Sequence, residues 1–268
     1  MTIEPLTPQF RRFEISNVLR STGAAIGRNA AVFFGLAILF QGLPTAILGY
    51  FQHSAMAPLL AGEPDAGAFA SAMRIWAYTG VGALVSVVFS SVLQVALTHG
   101  VVNSLRGQTV SLSECLSSGL RYFLPAVGIG LSVGLCVIFG FVFFIVPGVI
   151  LALGWCVAVP VLVAESRGVF GSISRAWRLT DGYKGSLFLL GLIFVGLSLV
   201  LSTVGQGIAA AFLATGMSTY NLILMAVISP LMATVSSVIG SAGVASAYYE
   251  LRQVKEGVGV EALAQVFE

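Results

Sequence analysis

Charged residues are scarce in this chain. Asp, Glu, Lys and Arg make up 9% of its 268 residues, whereas roughly a quarter is usual for a soluble domain. Hydrophobic residues make up 57%, and no water-soluble fold hides that much apolar surface. The net charge of +2 is too small to indicate nucleic acid as a partner. The composition therefore excludes an ordinary soluble protein and indicates a membrane protein.

Side chains that bind metals or form disulfide frameworks are also scarce. The chain has two histidines and three cysteines, and Cys115, Cys136 and Cys156 form no CxxC pair. A zinc site or a disulfide framework needs closer or more numerous ligands. We therefore expect no metal and no cofactor, and we interpret the cysteines as packing residues.

The apolar runs lack a central acid or base. Their polar residues are few, and they lie within the runs or at their ends: Gln41, Gln94, His99, Gln206 and Asn221. Proton-coupled and ion-coupled transporters usually need an ionisable group near the midplane of the bilayer. This absence argues against that class but leaves open a transporter or permease for a neutral or lipid-like molecule.

The long apolar runs predict six membrane spans. Four runs, at about 29–51, 75–102, 186–214 and 220–249, each exceed the roughly 20 residues that cross a hydrocarbon core. A fifth run, 123–164, would be roughly 63 Å long as one helix, twice the core thickness. It must fold back, and Pro147 with Gly148 predicts the turn. The spans thus form three hairpins.

A short amphipathic segment precedes each hairpin. In the clearest copy, apolar residues recur on one helical face at Leu112, Cys115, Leu116, Gly119, Leu120 and Phe123. Looser copies lie before spans one and five, so the repeating units begin near Phe13, Val110 and Val169. We predict an all-α integral membrane protein of three hairpins, each preceded by a cytoplasmic interfacial helix. The segments are 1–28 with the first such helix, 29–249 as the membrane domain, and 250–268 as a tail.

The positive residues predict the orientation. Of the thirteen Lys and Arg residues, all but Arg74 fall before span one, between the hairpins or after span six. Loops rich in Lys and Arg stay in the cytoplasm. We therefore expect the N-terminus, the interfacial helices and the C-terminus to be cytoplasmic.

One catalytic motif appears inside span three. Gly130, Ser132 and Gly134 spell GxSxG, the turn that carries the nucleophile of serine hydrolases, but that turn joins a strand to a helix. His53 and His99 lie near opposite ends of their spans, so neither is an obvious base for Ser132. An intramembrane hydrolase remains a third hypothesis. The same glycines form GxxxG, which favours close helix packing, and we assign no catalytic residue.

Small residues also line span six, where Ser237 and Ser241 share one face. Such a face favours close packing of helices, and a groove for a ligand or lipid is the alternative.

The densest charge follows span four. Candidate residues there are Glu165, Arg175, Arg178 and Asp181. The arginines lie on the polar face of the third amphipathic helix, so they could meet lipid phosphates at the membrane surface. Alternatively they pair with the two carboxylates and lock the linker, which we favour slightly.

Nearly the whole chain resembles one bacterial family, the membrane domain named for glycerophosphoryl diester phosphodiesterases, which includes YciC-like inner-membrane proteins. The resemblance is carried by a pattern rather than a catalytic motif, and its segments are LRGQ at 105–108, IVPG at 145–148, Val159-Pro160, Glu165, SRAWRLTDG at 174–182, YYELR at 248–252 and KEG at 255–257. It implies a location in the bacterial inner membrane and no settled activity. Some family members carry a phosphodiesterase barrel of roughly 250 residues. Because few residues follow Tyr249, we expect no such barrel here.

These observations together favour a non-enzymatic, multi-pass inner-membrane protein that binds lipid or acts as a scaffold in the bacterial envelope. Its expected partners are membrane lipids, with a second copy of the chain or other envelope proteins also possible.

Overall fold

The computed structural model describes residues 13–60, 68–214 and 219–257. The predicted terminal segments before Phe13 and after Gly257 lie outside these ranges. All elements of the described residues are helical: α1 Ile15–Arg28, α2 Ala30–Ala37, a π-helical turn Ile38–Gly42, α3 Leu43–Leu60, α4 Ala68–Leu105, α5 Leu112–Phe143, α6 Ile145–Trp155, α7 Ala158–Glu165, α8 Gly168–Thr180, α9 Lys184–Ala214 and α10 Thr219–Glu256.

Six helical segments of the described residues are long and apolar enough to cross a bilayer. They are Ala30–Phe51, Ala72–Leu105, Leu112–Phe143, Ile145–Glu165, Lys184–Ile208 and Pro230–Glu256. Within the hairpins, α3 packs against α4, α5 against α6, and α9 against α10. The predicted all-α multi-pass membrane fold is therefore confirmed.

The turn of the middle hairpin differs from the sequence-based expectation. The sequence predicts the turn at Pro147 and Gly148, but the residue that separates the two helices is Phe144, which has an extended backbone with φ −159° and ψ 143°. Pro147 instead lies in the first turn of α6, where backbone N–H groups have no partner inside the helix and proline is tolerated. Gly148 lies inside α6, and a Cβ there would stand 2.6 Å from the ring of Phe141. The glycine thus permits close packing of the two helices rather than the reversal.

The three amphipathic segments are joined to their hairpins in different ways. Helix α1 ends before Asn29, whose side-chain amide donates to Ser104 Oγ at 2.9 Å and so ties this bend to α4. The second segment continues without a break into span three as α5. The third segment, α8, is a separate helix. It is preceded by Ser166 in the left-handed region and followed by Gly182 at φ 84°.

Packing is tightest toward one end of the bundle. Along α4, most residues from 92 to 104 are buried, whereas those from 73 to 90 are mostly exposed. At this end α4, α7 and α10 finish and α5 and α9 begin. We call it the charged end, because the described ion pairs lie there.

Candidate functional site

The centre of the charged end is the carboxylate of Glu165, the last residue of α7. Arg175 on α8 places its Nε 3.2 Å from Oε2 and 3.3 Å from Oε1. Arg167 Nε lies 2.7 Å from Oε2, and the Tyr248 hydroxyl of α10 donates to Oε1 at 3.1 Å. One carboxylate therefore joins α7, α8 and α10.

Arg175 extends this network to a second carboxylate. Its terminal nitrogen pairs with Glu256 near the end of α10, and Arg252 Nε contacts the other oxygen of Glu256 at 3.0 Å. We call Glu165, Arg167, Arg175, Tyr248, Arg252 and Glu256 the Glu165 cluster. Its three arginines and two glutamates leave one positive charge in excess.

The ion pairs of the Glu165 cluster differ in how far their side chains are buried. The side chains of Glu165 and Arg175 are 9% and 17% exposed, whereas that of Arg167 is 49% exposed. A shielded pair is screened less by water and salt than an exposed one. The Glu165–Arg175 contact is thus the most shielded ion pair that α8 forms with the rest of the described bundle.

The end of α8 is fixed by apolar contacts with α6. The ring of Trp177 fills the space beside Gly154, where an added Cβ would stand 2.3 Å from ring carbons. Trp177 also packs against Trp155, with ring centroids 5.8 Å apart. The hydroxyl of Thr180 donates to the Gly154 carbonyl at 3.0 Å. These contacts fix the direction in which the outer face of α8 points.

An open groove of about 460 Å³ runs between α6 and α8. Its apolar lining consists of Leu151, Trp155, Phe170, Ile173 and Trp177, and its polar rim consists of Ser174 and Arg178. We call this feature the α6–α8 groove. Phe170 is 81% exposed, so the groove opens outward rather than into the bundle.

Of the pairing expected between the two arginines and the two carboxylates, the part that involves Asp181 is not formed within the described residues. Asp181 instead lies 3.9 Å from Lys184, and within the described residues Arg178 has no carboxylate at ion-pair distance. Arg178 and Asp181 are neighbours in helical spacing, but Asp181 has left the helix with an extended backbone.

Two lysines contact residues at this end of α8. Lys184 Nζ is 3.8 Å from the Trp177 ring centroid, and Lys255 Nζ donates to the Arg178 carbonyl at 2.5 Å.

The glycines of span three do not pack as expected. A Cβ added at Gly130 or Gly134 would have no neighbouring atom within 4 Å among the described residues, so the close helix packing predicted from GxxxG is not seen against the part of the chain that the structure describes. Close approach occurs at other glycines, such as Gly243, where Phe194 would lie 2.2 Å from an added Cβ. Ser237 and Ser241 are half-buried on α10, the helix that packs against most of the others.

The other polar candidates are dispersed. Ser132 makes no hydrogen bond within the described residues, and His99 bonds with Asn103 of its own helix at 3.1 Å. Gln94 is half-buried and Gln206 is exposed. The side chain of His53 lies outside what the structure describes. These residues are not brought together into a recognisable reactive site, and the described residues contain no group of three His, Cys, Asp or Glu that could hold a metal ion.

The candidates indicated by the sequence leave out several residues of this region, among them Trp155, Tyr248 and Glu256. Trp155 lies inside an apolar run, whereas Tyr248 meets Glu165 and Glu256 meets Arg175 across more than 80 residues of sequence. Tyr248 and Glu256 do fall within the segments that carry the family resemblance, which was the one signal available for them.

Comparison of the chain with protein-family models, with curated proteins and with solved structures finds no match. The resemblance to the phosphodiesterase-associated membrane domain stays a prediction, and the interpretation of the site depends on its own geometry.

Proposed function

We propose that this protein is a non-enzymatic, lipid-interacting scaffold of the bacterial inner membrane, with both termini in the cytoplasm. The observation that carries the proposal is that the two arginines of α8 differ in their ion pairs. Arg175 forms ion pairs with two carboxylates of the bundle. Arg178 is exposed and has no carboxylate partner among the described residues. A cation left free beside an apolar surface suits the boundary between lipid headgroups and chains.

The two faces of α8 support this assignment. One face is buried through Ser172, Ala176 and Leu179, and the other presents Phe170, Ser174 and Arg178. A helix with one docked face and one open face of mixed aromatic and cationic character is typical of a membrane-surface element. The positive-inside pattern supports the cytoplasmic orientation.

The two alternative functions gain no comparable support. A transport path needs polar groups that face a common passage, yet His99 bonds within α4 and Gln206 is exposed on α9. A hydrolase needs a base next to its nucleophile, and Ser132 has no hydrogen-bond partner among the described residues. The lipid-binding scaffold is therefore the function that the geometry supports best.

The proposal is tested by identifying the lipids that remain after purification in a mild detergent. We expect anionic phospholipids to be enriched over their share in the membrane extract, and we expect a high-salt wash to reduce that enrichment. A preparation whose retained lipids match the bulk membrane at both salt concentrations would overturn it.

A further inference from the structure

The floor of the α6–α8 groove suits a hydrocarbon chain. Leu151 and Trp155 are one turn apart on α6, roughly 6 Å along the helix axis, and Trp177 packs across from them. The apolar surface continues past the groove along α6 through Ile150, which is 41% exposed, to Val146, which is 67% exposed. A chain lying in the groove would thus have continuous apolar contact in the direction of the hairpin turn.

The rim of the groove suits a phosphate. Ser174 and Arg178 are one turn apart, so their side chains lie on one face of α8, and Ser174 makes no hydrogen bond within the described residues. Lys184 Nζ lies over the Trp177 ring and Lys255 Nζ donates to the Arg178 carbonyl, so two further cations contact residues of the groove; Lys184 also lies 3.9 Å from Asp181. An arginine next to further positive charge and a hydroxyl donor is the chemistry that binds a phosphodiester anion.

We infer that the α6–α8 groove binds one anionic phospholipid, with its phosphate at Arg178 and Ser174 and an acyl chain along Trp177, Trp155 and Leu151. This inference rests on the proposed function and names its binding site. The same rim chemistry would bind a free phosphate, but a free phosphate makes no use of the aromatic floor. The apolar lining therefore favours the lipid as the occupant.

The tryptophans of the groove provide a direct probe. The chain has three, and Trp76→Phe leaves only Trp155 and Trp177, both in the groove. Bromine atoms on a lipid chain quench tryptophan fluorescence on contact, so we would titrate this variant in detergent with brominated phosphatidylglycerol and, separately, brominated phosphatidylcholine. We expect stronger quenching at lower concentration with phosphatidylglycerol.

Substitutions at the rim test the role of charge. In the Trp76→Phe background, Arg178→Gln should weaken phosphatidylglycerol binding about fivefold at low salt and leave phosphatidylcholine unchanged, whereas Arg178→Lys should keep most of the affinity. The matched control is Arg20→Gln, because Arg20 is an exposed arginine of α1 without an ion pair among the described residues. It should bind phosphatidylglycerol like the parent.

A bulky substitution at the rim, which reaches over the apolar floor, tests the role of the acyl chain. Ser174→Phe should fill the groove and reduce quenching by both lipids, and its melting temperature shows whether the fold persists. Inorganic phosphate or glycerol phosphate should not displace the brominated lipid at the concentration at which the lipid saturates. Displacement by either at that concentration would assign a free-anion site and overturn the lipid inference.

Different experimental outcomes would reject this inference and the proposed function. If anionic lipid is retained on purification but quenching is equal in the parent, Arg178→Gln and folded Ser174→Phe, the groove assignment is wrong and the lipid-binding function stands. If no anionic lipid is retained and neither brominated lipid quenches, both are wrong.

Discussion

Arg175 and Glu165 form a two-point contact between consecutive helices, with Arg175 Nε 3.3 Å from one oxygen and 3.2 Å from the other oxygen of the same carboxylate. Because Arg175 also pairs with Glu256, this single side chain connects the second hairpin to the final helix. We therefore propose a structural role for Arg175, which leaves Arg178 as the arginine of α8 that has no described carboxylate partner.

The first prediction concerns the stability that this contact provides. Arg175→Gln should lower the free energy of unfolding by about 1–3 kcal/mol, because it leaves two carboxylates short of a partner in a partly shielded site. Arg167→Gln removes an exposed arginine from the same carboxylate and should cost less than about 1 kcal/mol. Thermal unfolding in detergent measures both, and equal losses would contradict the assigned role of Arg175.

The second prediction concerns the packing of α8 on α6. Gly154→Ala should lower stability by about 1–3 kcal/mol, because its Cβ would collide with the Trp177 ring. Gly134→Ala is the matched control, since no described neighbour lies within 4 Å of its added Cβ, and it should be neutral or slightly stabilising. A stable Gly154→Ala together with an unstable Gly134→Ala would restore the sequence-based view of the GxxxG motif.

Six spans could be predicted because each carries its own local signal, an apolar run of sufficient length. The turn at Phe144 could not, because a proline fits both a tight turn and the first turn of a helix, and the sequence does not distinguish these uses for Pro147. In the structure, Pro147 lies in the first turn of α6, and Gly148 packs against the ring of Phe141.

The candidate site was predicted in part. The sequence indicated Glu165, Arg175, Arg178 and Asp181 as a group, but it could not assign separate roles to two arginines three residues apart. The two arginines differ in their partners for two reasons. Arg175 pairs with Glu256, which is 81 residues away in the sequence. The backbone becomes extended at Asp181, just after α8. Long-range partners of this kind leave no periodic signal.

The third prediction concerns topology. A reporter that works only in the cytoplasm should be active when fused after Glu268 and silent when inserted near Gly62, since an even number of spans returns the chain to its starting side. The expected pattern follows from six spans and the positive-inside rule. Activity near Gly62 together with silence after Glu268 would reject this orientation.

The fourth prediction concerns Ser132. A fluorophosphonate probe, which labels activated serines, should not label the purified protein, because the described residues give Ser132 no base. Ser132→Ala should also unfold at nearly the same temperature as the wild type. Labelling that is lost in a folded Ser132→Ala would revive the hydrolase hypothesis.

The central claim is that the two arginines of α8 serve different purposes, and one paired measurement tests it most directly. Melting temperature and retained anionic lipid per folded protein should be determined side by side for the wild type, Arg175→Gln and Arg178→Gln at low salt. The account predicts that Arg175→Gln loses stability and keeps its lipid, whereas Arg178→Gln keeps its stability and loses lipid. Parallel losses in both variants, or loss of lipid in Arg175→Gln alone, would contradict it.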